Sequence, residues 1–291
     1  MLTQTVIFTP KSLSEALEVL NDKKPVVLAG GTDLLVQIKG GGIPPPRYII
    51  AIDNIKALKG IKKNGRKVRI GALTTFEEIL DSELLAKFAP HLLEASYEIG
   101  SPQIRARGTI GGNIMNASPA GDSIPPLFVL EAHLILQSIE GRRKVAISQF
   151  HTGPGKTIRR RDELLIGIEF EAGDKSSRYF FMRLGTRKAL AIAKVSAAGM
   201  LNIKNGHIGK ARIALGAVAP TVVYAHGAQD LLAGKSLSPE VALLVANAAQ
   251  NDCHPIDDIR SQAEYRQAMV GVLVERGLMR IMNELNGDGQ R

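Results

Sequence analysis

The spacing of apolar positions alternates between helical and strand periods along the chain. Leu13, Leu17 and Leu20 fall on one helical face behind Ser12 and Glu15, a capping-box pair, so a short amphipathic helix is expected, ended by Pro25. Val26, Val27 and Leu28 form a brief apolar run that enters Ala29-Gly30-Gly31-Thr32-Asp33, after which residues 34–39 take helical spacing again. This is a strand, a tight glycine turn and a helix. Residues 40–46, three glycines, an isoleucine and three prolines, can continue neither element, because glycine adds backbone freedom and proline removes a donor. They predict a loop between two subdomains. Residues 48–52 and 68–70 then read as strands, and Thr75 with Glu78 caps another short helix.

From 99 to 127 the pattern fades: glycines at 100, 108, 111, 112 and 121 are interspersed with Asn, Ser, Thr and Pro. A long irregular stretch inside a compact domain is usually functional. Strands follow at 133–137, 144–147 and 164–170, and the polar residues 171–177 mark a domain boundary. Beyond it, residues 192–203 and 208–215 are joined around Asn205-Gly206, a pair suited to positive φ and hence to a hairpin. Helices are expected from Pro239 to Gln250 and after a Ser261/Glu264 capping box with Met269, Leu273 and Val274 on one side; the polar tail 286–291 should fray. The fold class read from this order is α+β, with one domain at 1–174, divided near residue 54, and a smaller one at 175–291.

Composition removes several function classes. Cys253 is the single cysteine, so neither an intramolecular disulfide nor an iron-sulfur cluster can form on this chain. The six histidines are scattered, with no pair at helical spacing, which leaves a zinc site without support. No apolar run approaches the roughly 18 residues of a spanning helix, and the opening residues lack the features of an export signal, so a cytoplasmic protein is expected, away from membranes. The charge of +9 invites a nucleic-acid reading. With 8 Phe, 5 Tyr and no Trp, none interleaved with the basic clusters at 59–67, 142–144 and 159–161, a base-stacking platform is hard to build. Those clusters read as solvated hairpin ends or a docking face, and no nucleic-acid partner is expected.

Three glycine motifs carry candidate chemistry. Gly153-Pro154-Gly155-Lys156-Thr157 imitates the end of a P-loop, but Phe150 stands where the first glycine belongs and no helical pattern follows. Ala29-Gly30-Gly31-Thr32-Asp33-Leu34 places consecutive glycines after a strand, where successive N–H groups can turn outward into a concave nest that binds phosphate. Taken alone, such a turn is more often a plain β-turn entering a helix, and it lacks the G-x-G-x-x-G of a Rossmann fold. Thr109-Ile110-Gly111-Gly112-Asn113 repeats the logic and continues through Ser118-Pro119-Ala120-Gly121-Asp122. Two such bends suit the diphosphate of a dinucleotide, gripped by main-chain amides from opposite sides, and FAD adds a ribityl chain whose hydroxyls Asp122 can accept.

The two bends, with Gln103-Ile104-Arg105-Ala106-Arg107-Gly108 leading into the second and residues 187–195 further on, resemble the FAD-binding subunit of molybdenum hydroxylases, a family that includes xanthine, carbon monoxide and nicotinate dehydrogenases. The resemblance covers essentially the whole chain. It implies a flavin-binding domain of two subdomains, of the vanillyl-alcohol-oxidase (PCMH) type, followed by a smaller α+β domain. It implies that Val27, Leu28, Ala29, Gly30, Gly31, Thr32, Asp33 and Leu34, with Thr109, Ile110, Gly111, Gly112 and Asn113, wrap the pyrophosphate of FAD. Asp122 would bind the ribityl region and Ile99 would pack near the isoalloxazine. Arg183 aligns loosely with a basic residue near the flavin, its other reading being a strand-edge surface arginine. The cysteine-rich insertion of 4-hydroxybenzoyl-CoA reductase is missing, and residues 150–156 resemble the bacterial xanthine dehydrogenase branch.

The function so implied is an oxidoreductase subunit of xanthine dehydrogenase type that relays electrons through FAD to NAD or another acceptor. Its partners would be a molybdopterin-binding large subunit and a small subunit with two [2Fe-2S] clusters, in a hetero-oligomer. The alternatives are a carbon monoxide or nicotinate dehydrogenase flavoprotein and, from another class, a basic assembly or nucleic-acid-associated module.

Overall fold

The computed structural model describes residues 5–187 and 190–288. Near the N-terminus, β1 (Val6–Phe8), α1 (Leu13–Lys23), β2 (Val26–Leu28), α2 (Leu34–Lys39) and β3 (Tyr48–Ala51) form a parallel sheet of order β1-β3-β2. The Ser12 hydroxyl accepts the Glu15 N–H as expected, but the Glu15 carboxylate takes the N–H of Lys11 instead of closing the box on Ser12. Lys24, in the left-handed region, ends the helix ahead of Pro25. Ala16, Leu17 and Leu20 of α1 are buried with Ile50 and Ile52 and with Ile135, Leu164 and Ile166 of the next sheet. Apolar spacing in one helix thereby glues two sheets together.

The middle unit contains β4 (Ile61–Asn64), β5 (Lys67–Gly71), α3 (Phe76–Leu80), α4 (Glu83–Phe88), α5 (Pro90–Tyr97), α6 (Pro102–Arg105), α7 (Ile110–Asn116), α8 (Ile124–Val129), β6 (His133–Ser138), β7 (Gly141–Ala146), β8 (His151–Gly153), β9 (Lys156–Thr157) and β10 (Leu164–Glu171). An antiparallel sheet of order β4-β5-β10-β6-β7 carries a helical layer on its other face, where Ile70, Leu134 and Ile168 meet Ile79, Leu92, Ile114 and Leu127. The stretch 99–127 is therefore not irregular. It holds α6, α7 and α8, each too short to display helical periodicity and each begun by a local device: Ser101 with Pro102, Thr109, and Pro125.

The polar residues 171–177 connect β10 to a sheet of order β11-β12-β13-β14, formed by β11 (Ser177–Leu184), β12 (Val195–Lys204), β13 (His207–Gly216) and β14 (Val223–Tyr224). The β12–β13 hairpin turns at Asn205 and Gly206, both at positive φ, as the dipeptide requires. Its first strand starts at Val195, later than the apolar run at Ile192; Ile192 is exposed. Packed on this sheet are α9 (His226–Leu232), α10 (Pro239–Ala249) and α11 (Ala263–Asp288). The Ser261/Glu264 pair does not cap α11: Ser261 exchanges bonds with Asp258, and the Ala263 N–H goes to the Asp257 carboxylate. Helix persists through Asp288, past the start of the tail expected to fray; residues 289–291 lie outside the described part of the chain.

The C-terminal unit is tied to the middle one by directed bonds. Arg280 reaches the Glu94 carboxylate, which also accepts the Phe181 N–H, Arg212 donates to the carbonyl of Val129, and the Tyr224 hydroxyl donates to that of Phe128. His91 stacks on Tyr179 at 4.6 Å, and burial pushes its pKa down to about 3, so the seam holds a neutral imidazole. Inside the unit the Phe180 ring is clamped between Gly199, its cross-strand neighbour, and Gly277 of α11. A Cβ at either glycine would stand 2.0 or 2.4 Å from the ring. Gly199→Val and Gly277→Val should each destabilise the chain by about 1–3 kcal/mol or more through overpacking, read as a lower denaturant midpoint. An unchanged midpoint in both would show that the ring can move aside.

Candidate functional site

The bend after β2 and the bend that opens α7 come together because Gly30 has no side chain. A Cβ there would lie 1.9 Å from the Arg107 carbonyl oxygen, and one at Gly111 would lie 2.5 Å from that of Ala72. These two glycines are packing residues. Gly31 adopts φ +75°, which an L side chain rarely takes, and Gly112 faces open space apart from the Thr109 hydroxyl at 3.0 Å. Around this junction runs a cleft with two lobes of about 350 and 360 Å³, which share Ala29, Gly112 and Met115.

The two bends differ in what they offer a ligand. Among the described residues, the N–H groups of Gly30, Gly31, Thr32 and Asp33 have no protein acceptor, so the first bend presents consecutive free donors at the cleft. In the second bend four N–H groups are already used: Ile110 donates to Thr74, Gly111 to Ala72, Gly112 to the Thr109 hydroxyl and Asn113 to the Thr109 carbonyl. Of the amides expected to grip from both sides, the free ones among the described residues therefore stand mainly on the first bend, and residues 110–113 form a shaped wall opposite. Ile110 is fully buried in the core and does not reach the cleft.

One lobe is walled by Leu28 to Leu34 together with Ile99, Phe76, Ile104, Thr109 and Asn113. The other is mainly apolar, formed by Val26, Val27, Ile52, Leu164 and Leu165, with Gly111 on its inner side and Arg159 and Arg161 at its mouth. These two arginines belong to a cluster read from sequence as a solvated or docking face. Arg159 is half-buried and donates to the Glu163 carbonyl; Arg143 makes a two-pronged bond to the Glu163 carboxylate. Gln37 and Phe76 were missed because isolated residues on separate elements form no motif, and nothing in the basic cluster 159–161 showed that two of its arginines line a cleft.

The P-loop imitation resolves into the β8–β9 hairpin, whose Gly155 N–H reaches the carbonyl of Ala117 while His151 Nε2 bonds that of Ile114 at 2.8 Å. It serves the C-terminal end of α7. Asp122 and Arg183 stand outside the lining of both lobes, near the Ile99 end. The Arg183 guanidinium lies 3.2 Å from Asp122, donates to Glu98 at 2.8 Å and also donates to the Ala191 carbonyl. Arg183 is 5 % exposed, so its surface reading is excluded. Of the motif at 187–195, Lys188 and Ala189 lie outside the described residues.

Burial pushes the Asp122 carboxyl up from 3.8 to about 7, against the attraction of an arginine whose single charge Glu98 shares. Because the folded value is raised, the stabilisation from holding this proton is complete below about pH 4 and lost as pH climbs through 7. Asp122→Asn should flatten that decline, measured as denaturant midpoints at pH 5 and pH 8; equal slopes in variant and parent would count against a protonated Asp122.

Residues 3–170 match the model of the FAD-binding domain in molybdopterin dehydrogenases, and 180–281 that of the CO dehydrogenase flavoprotein C-terminal domain. The chain is 34% identical over 273 residues to the carbon monoxide dehydrogenase medium chain of Hydrogenophaga pseudoflava, covering 92% of this chain and 94% of that one. It is 30% identical to the xanthine dehydrogenase FAD-binding subunit of Escherichia coli O157:H7, covering 91% of each. A solved carbon monoxide dehydrogenase of Hydrogenophaga pseudoflava, lacking the Mo-pyranopterin moiety, superposes with a TM-score of 0.90 at 32% identity, over 96% of this chain and 97% of that one. The free donors, the glycine-built junction and these likenesses agree: the chain belongs to the FAD-binding medium-subunit family of the molybdenum hydroxylases.

Proposed function

We propose that this chain carries FAD as the electron-transfer subunit of a molybdenum hydroxylase complex. The observation that supports this most directly is the run of free N–H groups on Gly30 to Asp33 at the meeting point of two lobes. A diphosphate joining two ring-bearing halves matches that arrangement, with negative charge on the donors and one half on each side. Ile99 sits in the lobe walled by Leu28 to Leu34, which supports the flavin lying on that side. The adenosine then takes the apolar lobe, under Arg159 and Arg161. Val27, Leu28, Ala29, Leu34, Thr109 and Asn113 hold the cofactor by contact, Ile110 and Gly111 by shaping α7, and Asp122 with Arg183 from behind the Ile99 end.

FAD, when bound, supplies two-electron redox chemistry, and the protein supplies orientation and a fixed electrostatic surround. Thr32 adds a hydroxyl to the donor row, and Asn113, which lines the same lobe, is held by the Ser123 hydroxyl donating to its Oδ1. Among the described residues no group of His, Cys, Asp or Glu could hold a metal, and a relay needs no nucleophile on this chain. The substrate would be bound by a molybdopterin subunit and electrons delivered by a small [2Fe-2S] subunit. We read the complex as xanthine dehydrogenase type, on the likeness of residues 150–156, with NAD or another acceptor taking the electrons. The second reading, a carbon monoxide dehydrogenase flavoprotein, is favoured by the medium-chain identity, and assay of the co-purified complex on xanthine with NAD against carbon monoxide separates the two.

Gly112→Val should fold yet lose most of its FAD, because a Cβ there meets only the Thr109 hydroxyl outside its own helix's backbone and the side chain enters the space shared by the lobes. The measurement is flavin absorbance per folded protein after desalting. Stoichiometric flavin in that variant would place the diphosphate elsewhere.

A further inference from the structure

A groove with a volume of about 470 Å³ lies away from the cofactor cleft, at the seam between the middle and C-terminal units. The middle unit contributes Glu131, Ala132 and His133 at the start of β6 and Ala146, Ile147 and Ser148 beyond β7. The C-terminal unit contributes Lys210 to Arg212, Tyr224, His226 and Gln229. The floor is apolar and fixed: Ala132 and Ile147 are buried, and the Tyr224 ring is pinned by its hydroxyl bond to Phe128. Lys210 and Arg212 bring positive charge to its lining from the C-terminal unit, and the rings of His133 and His226 line it from the two units.

Against these stands one carboxylate, Glu131, held at φ +51° between the two units. It pairs with Arg212, a contact that fixes the guanidinium, and more loosely with Lys210 at 3.4 Å. Lys210 is 57% exposed and retains donors to spare. A fixed apolar floor with a surplus of donors above it is the composition of a small-molecule site, not of a solvated surface. We propose that this seam groove binds a small dianion, a compound carrying a phosphoryl group or paired carboxylates. Its charge meets Lys210 and the ring N–H groups of His133 and His226, and its body lies on Tyr224 and Ile147. Because both units furnish contacts, the occupant braces the seam across which Arg212 and Tyr224 already reach.

The test uses the full chain loaded with FAD, so that the cofactor cleft is filled. Inorganic phosphate and malonate are titrated separately at constant ionic strength while the imidazole resonances of His133 and His226 are followed by NMR, with those of His91 and His151 as internal references. The expected result is a saturable shift of the first pair alone, at unchanged flavin content, with affinity reduced about tenfold in Lys210→Ala. Saturation by phosphate only supports a phosphoryl ligand, and saturation by both supports a general dianion site. Shifts that grow without saturating, or that are the same in Lys210→Ala, overturn the proposal.

Discussion

A main-chain contact without a side chain between its partners holds the cleft together. Gly30 lies so close to the carbonyl of Arg107 that the first bend and the connection into α7 share one van der Waals surface. Everything the cleft does follows from that approach. It fixes the separation of the bends, it aims the row of free donors at the junction of the lobes, and it brings Thr32 beside Gly108. Gly111 performs the same service one layer deeper, seating α7 on Ala72 so that the helix start forms a wall rather than a second set of donors.

That division of labour shows how far a glycine motif can be read from sequence. Both bends are pairs of glycines after or beside a strand, and nothing in the residues says which N–H groups are spent internally. The answer depends on Thr74 and Ala72, whose carbonyls consume the second bend's donors, and on Thr109, which caps its own helix. Those partners lie dozens of residues away or act through geometry alone. Long apolar spacing was legible for the opposite reason: α1, the β12–β13 hairpin and α10 carry their own periodicity or turn chemistry and need no distant information.

The misread elements share a physical cause as well. Helices α6, α7 and α8 have at most seven residues, fewer than two full turns of pattern, and their starts rest on single caps. Strand β4 is mostly Lys and Asn facing solvent, so its pairing with β5 leaves no apolar alternation to detect. The basic cluster at 159–161 looked uniform in sequence, yet the chain turns Arg159 inward beneath Glu163 and leaves Arg160 outward. Similar charge, placed on adjacent residues, acquires different duties. Arg183 was found only through the family resemblance, since it is separated from Asp122 by about sixty positions and meets it across two units.

The hydrogen bonds that residues 110–113 make within the protein set how much a guest has to reorganise. A wall whose amides are bonded to neighbouring carbonyls and to a hydroxyl needs no guest to hold its shape. Little chain entropy therefore remains to be surrendered on loading.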